Sequence, residues 1–200
     1  YFKAGIKLLD KNSWEKYYEL TLHIYQGAVN SAQLCADYDT MEEFTECVFA
    51  NARNILDKVE VYEAQISACI ARNQLPDAVM IGLSVLKKLG ISLPDKPGKI
   101  KIVYELILLK LFLRGKQVDH LINLPEMKDA HKLAIMQILT RIGTSAYYTA
   151  PELLPLVIFN AVKISVKYGN SVYSPYSYAG FGMILCGVLG DIDRGHAYGK

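Results

Sequence analysis

The chain has 200 residues, 52% of them hydrophobic and 21% charged, enough for one sizeable core or a short run of packed repeats. This excludes a disordered chain, and 14 Gly with 7 Pro are too few for a collagen-like or low-complexity one. A balance of 22 basic and 20 acidic residues, formal charge +2, lacks the concentrated basic face of a dedicated nucleic-acid binder.

Apolar residues recur at three- and four-residue steps almost throughout, and no stretch alternates long enough for a half-buried strand, so the chain reads as all-α. A first helix over Phe2 to Leu9 gives way to Asp10-Lys11-Asn12-Ser13, where Ser13 is placed to cap a second helix running to about Ala36. Tyr18, Leu22, Tyr25, Val29 and Ala32 form its apolar stripe, and Glu15 and Glu19 suit its N-terminal dipole. Asp37-Tyr38-Asp39-Thr40 supplies a turn and a cap for a third helix, expected to continue to about Leu56. From Asp57 the pattern repeats: a helix through Tyr62, Ile66, Cys69 and Ile70, a turn at Asn73-Gln74-Leu75, and a helix opened by Pro76 and ended by Gly90.

Sliding the sequence by about one helical-hairpin length sets Ala36 on Asn73 and Ala32 on Cys69. A third copy of the turn, Gly190-Asp191-Ile192-Asp193, sets Cys186 on the same small position, which marks a close helix crossing. Paired helices with such a turn are the signature of a tetratricopeptide-type (TPR) solenoid, a right-handed superhelix of antiparallel hairpins. The match is degenerate: the Trp-Leu-Gly-Tyr run of the consensus first helix is missing, and Gly82 stands where a large aromatic is expected.

The expected organisation is helical hairpins over 1–92, a rigid Pro/Gly elbow over 93–98 (Leu93-Pro94-Asp95-Lys96-Pro97-Gly98), and further hairpins of the same solenoid over 99–200. After the elbow, Ile100, Val103, Ile107 and Leu111 line one side of a strongly apolar helix and Ile102, Leu106, Leu109 and Leu113 another, which predicts contact on most sides. A short helix through Val118, Leu121 and Ile122 follows, then a stop at Leu124-Pro125. Helices are expected from Asp129 to Tyr148, Pro151 to Tyr168 and Pro175 to Leu189, with Gly169-Asn170-Ser171 between the last two. The most apolar windows, Ile102–Leu113 and Phe181–Leu189, are too short for a bilayer, so no membrane span is expected.

The chain opens Tyr1-Phe2-Lys3, without an initiator Met or a leader, and stops at Lys200 within a helical pattern, and it is read as a piece of a longer protein. Cys35, Cys47, Cys69 and Cys186 lie far apart with no Cys-x-x-Cys pair and no zinc spacing, and are expected to be free thiols packed as small hydrophobes in a reducing cytoplasm. His23, His120, His131 and His196 are scattered, and Asp129-Ala130-His131-Lys132 lacks the acidic or Arg residue that usually follows a phospho-accepting histidine. Gly190-x4-Gly195 imitates a P-loop, but His196-Ala197 replaces Lys-Ser/Thr; Gly180-x-Gly182 lacks a third glycine and a preceding strand. No catalytic, metal or cofactor site is expected in the segment. Lys96, Lys99, Lys101, Lys110, Arg114 and Lys116 read most simply as the solvated rim of the apolar helix. Among Tyr147, Tyr148, Tyr168, Tyr173, Tyr176, Tyr178 and Phe181, packing at helix ends is the first reading. Tyr147, Tyr148, Tyr173 and Tyr176 are also candidate partner-binding residues, because solenoid grooves present tyrosines to peptides.

Several ordered blocks carry a resemblance across essentially the whole chain: Ala146-Tyr147-Tyr148-Thr149-Ala150-Pro151-Glu152-Leu153-Leu154-Pro155-Leu156, Ser165-Val166-Lys167-Tyr168-Gly169-Asn170-Ser171 and Cys186-Gly187-Val188-Leu189-Gly190-Asp191-Ile192-Asp193. Upstream, Ser13-Trp14-Glu15, Tyr18-Glu19-Leu20-Thr21-Leu22, Asn51-Ala52-Arg53, Leu56-Asp57-Lys58-Val59, Val61-Tyr62-Glu63 and Asn73-Gln74-Leu75 agree. Together they resemble the TPR-like helical repeat region of large bacterial multi-sensor signal transduction kinases. That resemblance implies a parent with a serine/threonine kinase-like domain, an AAA- or STAND-type ATPase, this helical region, a GAF sensor and often a histidine kinase. ATP and magnesium would belong to those other domains, since no Gly-rich loop, His-Arg-Asp, Asp-Phe-Gly or Walker motif occurs here. It implies a cytoplasmic, non-catalytic segment that couples modules by contacting a protein, a peptide or neighbouring domains of its own chain. The competing expectation is an inducer- or partner-binding superhelix of a STAND-type ATPase transcriptional regulator.

Overall fold

A computed structural model describes residues 1–199; Lys200, the last residue of the expected second set of hairpins, lies outside them. The described residues form twelve α-helices: α1 Phe2–Lys7, α2 Ser13–Lys16, α3 Tyr18–Leu34, α4 Tyr38–Asn51, α5 Leu56–Ala71, α6 Leu75–Lys88, α7 Lys99–Leu113, α8 Val118–Ile122, α9 Ala130–Thr149, α10 Leu154–Tyr168, α11 Ser174–Leu189 and α12 Ile192–Gly199. The protein is therefore all-α, and it divides into two compact units, Tyr1–Ile81 and the chain from Gly82 onward. Within each unit successive helices pack on one another, α3 with α4 and α5, and α9 through α12 each with the next, the neighbour packing of a helical-hairpin solenoid. Among the described residues no helix is long and apolar enough to cross a membrane.

The three superposed turns share one backbone solution. Ala36, Asn73 and Gly190 all adopt left-handed conformations, with φ of 55°, 57° and 66°. In the first two the following amide reaches back to the carbonyl of the small residue: Asp37 donates to Ala32 at 2.9 Å and Gln74 to Cys69 at 2.8 Å. This Schellman closure satisfies carbonyls that the helix end would leave orphaned, and Gly90 at φ 84° closes α6 in the same way, with Ile91 donating to Leu86. At the third turn Asp191 reaches one residue further, to Leu185. There Gly182, Cys186 and Gly195 bring α11 and α12 together so closely that a Cβ on Gly195 would collide with the Cys186 thiol and the Gly182 carbonyl.

The first unit's core joins Tyr18, Leu22, Val29 and Ala32 of the expected stripe to Met41, Phe44 and Val48 of α4 and Val61, Ala64 and Ala68 of α5. The long helix expected from Ser13 is in fact two. Tyr17, at φ −133° and ψ 47°, breaks it, and Ser13 does not cap it: its hydroxyl turns back to the Asp10 carbonyl while its own carbonyl accepts from Thr21 Oγ1 at 3.1 Å. The break lets Trp14 stack on Tyr25, ring centroids 5.3 Å apart, which burial pushes to a phenol pKa of about 12, with a Cys47 hydrogen bond adding to the rise. The third helix also stops early, at Asn51. Tertiary bonds pull the next residues straight: the Arg53 amide donates to Tyr18 Oη at 2.8 Å, and Tyr18 Oη donates to the Asp57 carboxylate at 2.6 Å. Asn54 Oδ1 then accepts the amides of Leu56 and Asp57 and starts α5. The expected cap at the next turn is Asp37, whose carboxylate accepts the Thr40 amide.

In the second unit, Asp129 caps α9 by accepting the amides of His131 and Lys132 at 2.9 and 3.1 Å. α10 lies between α9, α11 and α7. It buries Leu154, Leu156, Ile158, Phe159, Val162 and Val166 against Leu109, Leu113, Phe181, Ile184 and Leu185. Gly169, at φ 105° and ψ 171°, ends α10 where its neighbour Asn170 takes a short bridge from the segment after α8: Asn170 N donates to Pro125 O, and Met127 N to Asn170 O at 2.7 Å. A Cβ on Gly169 would collide with the Pro125 carbonyl oxygen, so this glycine is needed both for its dihedral and for the close approach. All four thiols are free, but Cys35 is exposed at the end of α3, so a core role fails there; Cys47, Cys69 and Cys186 are half-buried.

α7 departs from expectation. Its inward row, Ile102, Leu106, Leu109 and Leu113, packs into the second unit's core, while Ile100, Val103, Ile107 and Leu111 face solvent, Ile100 at 88% exposure. An apolar pattern on two sides states a need for cover on both, and the described residues cover one. Glu105 fixes the helix to α10, accepting from Lys101 and from Lys163 Nζ at 2.8 Å each. The Lys101 hydrogen bond, then that from Lys163, holds its carboxyl below the ordinary value of 4.5.

Gly169→Ala is expected to lower stability by roughly 1–3 kcal/mol in urea unfolding, whereas Gly98→Ala, in open space at ordinary φ, leaves it unchanged within error. Glu105→Gln is expected to lower the melting temperature by a few degrees at neutral pH. Because the folded-state pKa of Glu105 lies below its unfolded value, the gap to wild type is full above about pH 4.5 and closes as the pH falls below it.

Candidate functional site

Two faces, α9 and α11, determine where the candidate tyrosines go. Along α9, Gly143 and Tyr147, and Thr144 and Tyr148, stand one turn apart on one side; along α11, Tyr176, Ala179, Gly180 and Met183 follow the same helical spacing. The two rows enclose a groove of about 370 Å³ whose floor is Leu154 and Ile158 of α10. Glycines let its walls pack this closely: a Cβ on Gly143 would collide with the Tyr176 hydroxyl, and one on Gly180 would come within 2.8 Å of Ile158 Cδ1.

Tyr147 and Tyr148 form its lip, their rings edge to face at 5.1 Å and exposed by 55% and 69%. Tyr176 lies deeper, and burial pushes its phenol up. The lining carries no charged side chain among the described residues. Such a groove offers ring faces, methyl and thioether groups and tyrosine hydroxyls, which suits an extended apolar segment with a few exposed backbone polar groups.

Of the four candidate tyrosines the structure therefore gathers Tyr147, Tyr148 and Tyr176; Tyr173, the residue preceding α11, is half-buried and does not line the groove. The other aromatics have separate tasks. Tyr178 and Phe181 pack with Tyr198 in the core, with Tyr178 Oη donating to Asn170 Oδ1 at 2.9 Å and its phenol pushed to about 12 by burial. The Tyr168 ring has the ammonium groups of Lys132 and Lys167 at 5.2 and 5.1 Å from its centroid. Reading tyrosines alone missed Gly143, Gly180 and Met183. Their signal is present as one- or two-turn spacing from Tyr147 and Tyr176, but identical spacing marks ordinary helix crossings.

Gly180 and Gly182 serve helix packing, and Gly195 sits against α11. Among the described residues no three His, Cys, Asp or Glu side chains cluster as a metal site requires. The outward row of α7 is a second apolar surface, with Tyr104, Leu108 and Phe112 widening it.

Lip and floor are expected to separate under mutation: Tyr147→Ala and Tyr148→Ala each change unfolding free energy by no more than about 0.5 kcal/mol, while Ile158→Ala costs about 2–4 kcal/mol. Urea titrations followed by circular dichroism check both. No family model, curated protein or solved structure matches the chain.

Proposed function

We propose that the chain is a non-catalytic helical-repeat segment of a large cytoplasmic multidomain signalling kinase. In this role it couples an ATPase module to sensor and kinase modules through protein contacts, with ATP and magnesium handled elsewhere in the parent. The observation that carries this reading is the uncovered outward row of α7, Ile100, Val103, Ile107 and Leu111, on a helix whose other row is packed. A soluble chain that leaves such a row on a regular helix has a surface suited to another protein element, because apolar area gains only when it is covered. The tyrosine-lipped groove adds a second contact point of the kind solenoids use for extended segments. The sequence blocks that resemble multi-sensor kinases support this choice of parent.

A groove of about 370 Å³ also falls in the size range of small-molecule sites, which favours a second reading. In it the segment is the inducer- or partner-binding domain of a STAND-type ATPase transcriptional regulator. The sequence flanking the segment in its parent separates the two: GAF and histidine-kinase motifs support the first, a DNA-binding helix-turn-helix the second.

The test is binding of the segment to the separately produced ATPase and GAF modules of its parent, measured by calorimetry. Ile107→Glu, at an exposed position, is expected to weaken that binding at least tenfold without loss of helicity, and Tyr147→Ala with Tyr148→Ala to weaken a groove-bound contact. Absence of binding to both modules, or ATP turnover by the purified segment, would overturn the proposal.

A further inference from the structure

Three of the basic residues that read as a solvated rim, Lys110, Arg114 and Lys116, line one cavity. Past the end of α7 the chain turns sharply at Arg114-Gly115-Lys116, Gly115 taking φ 80° and Lys116 N donating to Leu113 O at 3.0 Å. This turn brings Lys110, Arg114 and Lys116 to one mouth, and Arg194 of α12 completes it. The cavity behind them measures about 680 Å³. Leu113, Phe181, Leu185 and Tyr198 form its apolar side, with the Phe181 and Tyr198 rings edge to face at 5.0 Å.

Four cations face one carboxylate, that of Asp119, in this lining. Among the described residues neither Lys110 nor Arg114 has an ion-pair partner. Arg194 has only a distant one, Asp191 at 3.9 Å on a largely exposed side chain, and the Lys116 ammonium lies 5.6 Å from the Phe112 ring. Like charges gathered at a concave, low-dielectric wall repel one another and focus a positive potential into the cavity, and an anion bound there relieves both. Aromatic and leucine side chains behind the charges supply the complementary half of a small-molecule site, a place for an apolar body.

We propose that this cavity binds a small organic anion with an aromatic body, its phosphate, sulfonate or carboxylate held by Arg114, Lys116, Lys110 and Arg194 and its ring against Tyr198, which Phe181 backs from the core. The site is separate from the tyrosine groove and from the outward row of α7, so it does not depend on the proposed role in a signalling kinase.

Two naphthalene probes of near-equal size test it: anionic 8-anilinonaphthalene-1-sulfonate and neutral N-phenyl-1-naphthylamine, titrated by fluorescence into the intact chain. Comparing the two cancels binding driven by apolar surface alone. The expected result is at least a tenfold preference for the anion at one site, with amide shifts in nuclear magnetic resonance confined to residues 110–119 and 181–198. Arg114→Gln with Lys116→Gln, both exposed and outside the core, should abolish the preference, while Tyr147→Ala with Tyr148→Ala leaves it unchanged. Equal affinity for both probes, a preference that survives the double glutamine variant, or shifts centred on residues 143–148 would each overturn the proposal.

Discussion

A helix that is apolar around most of its circumference must be surrounded, and α10 imposes that requirement on the second unit. Ten of its 15 residues are buried, so α7, α9 and α11 are all drawn against it. At about 25 cal/mol per Å² of apolar surface removed from water, no hydrogen bond or ion pair in the unit competes with that demand. The surfaces open to ligands follow from it. Ile158 of α10 is the floor of the tyrosine groove, and α7, once its inward row is committed to α10, has to turn its second row outward.

Polar groups then decide details that apolar burial leaves free. Asn170 is the clearest case: its backbone pairs with Pro125 and Met127, its side-chain amide donates to Leu121 O at 2.6 Å, and its Oδ1 accepts from Tyr178. One residue thereby fixes the segment after α8, the end of α10 and the start of α11, which hold two sides of the second unit in register. In the first unit, Tyr18 and Asp57 act similarly on the stretch between α4 and α5, with the Arg53 guanidinium 3.8 Å above the Tyr18 ring. Buried hydroxyls with a single geometry set register because leaving them unpaired costs more than the bond itself returns.

Glycine absence and presence are equally functional in these helices. Gly143 and Gly180 let Tyr176 and Ile158 pack against the helix backbone beside the groove, as Gly182 and Gly195 let α11 and α12 cross closely.

Much of the helical framework was written locally. Three- and four-residue apolar steps, the Asp37 and Asp129 caps, Pro76 and Pro175 in the first turns of α6 and α11, and turns at Ala36, Asn73 and Gly190 act within a few residues of themselves, so their outcome could be read along the chain. The break at Tyr17, the early end of α4, the departure of Tyr173 from its three companions and the exposure of Ile100, Val103, Ile107 and Leu111 could not. The early end of α4 depends on Tyr18 reaching Arg53 and Asp57, and the exposed row of α7 on the absence of any described helix over it. The break at Tyr17 depends on hydrogen-bond and ring geometry that periodicity does not carry, Thr21 to Ser13 and Trp14 to Tyr25. Periodicity states which side of a helix seeks cover. Only the tertiary structure decides which sides obtain it, because burial is a property of what arrives opposite and not of the helix itself.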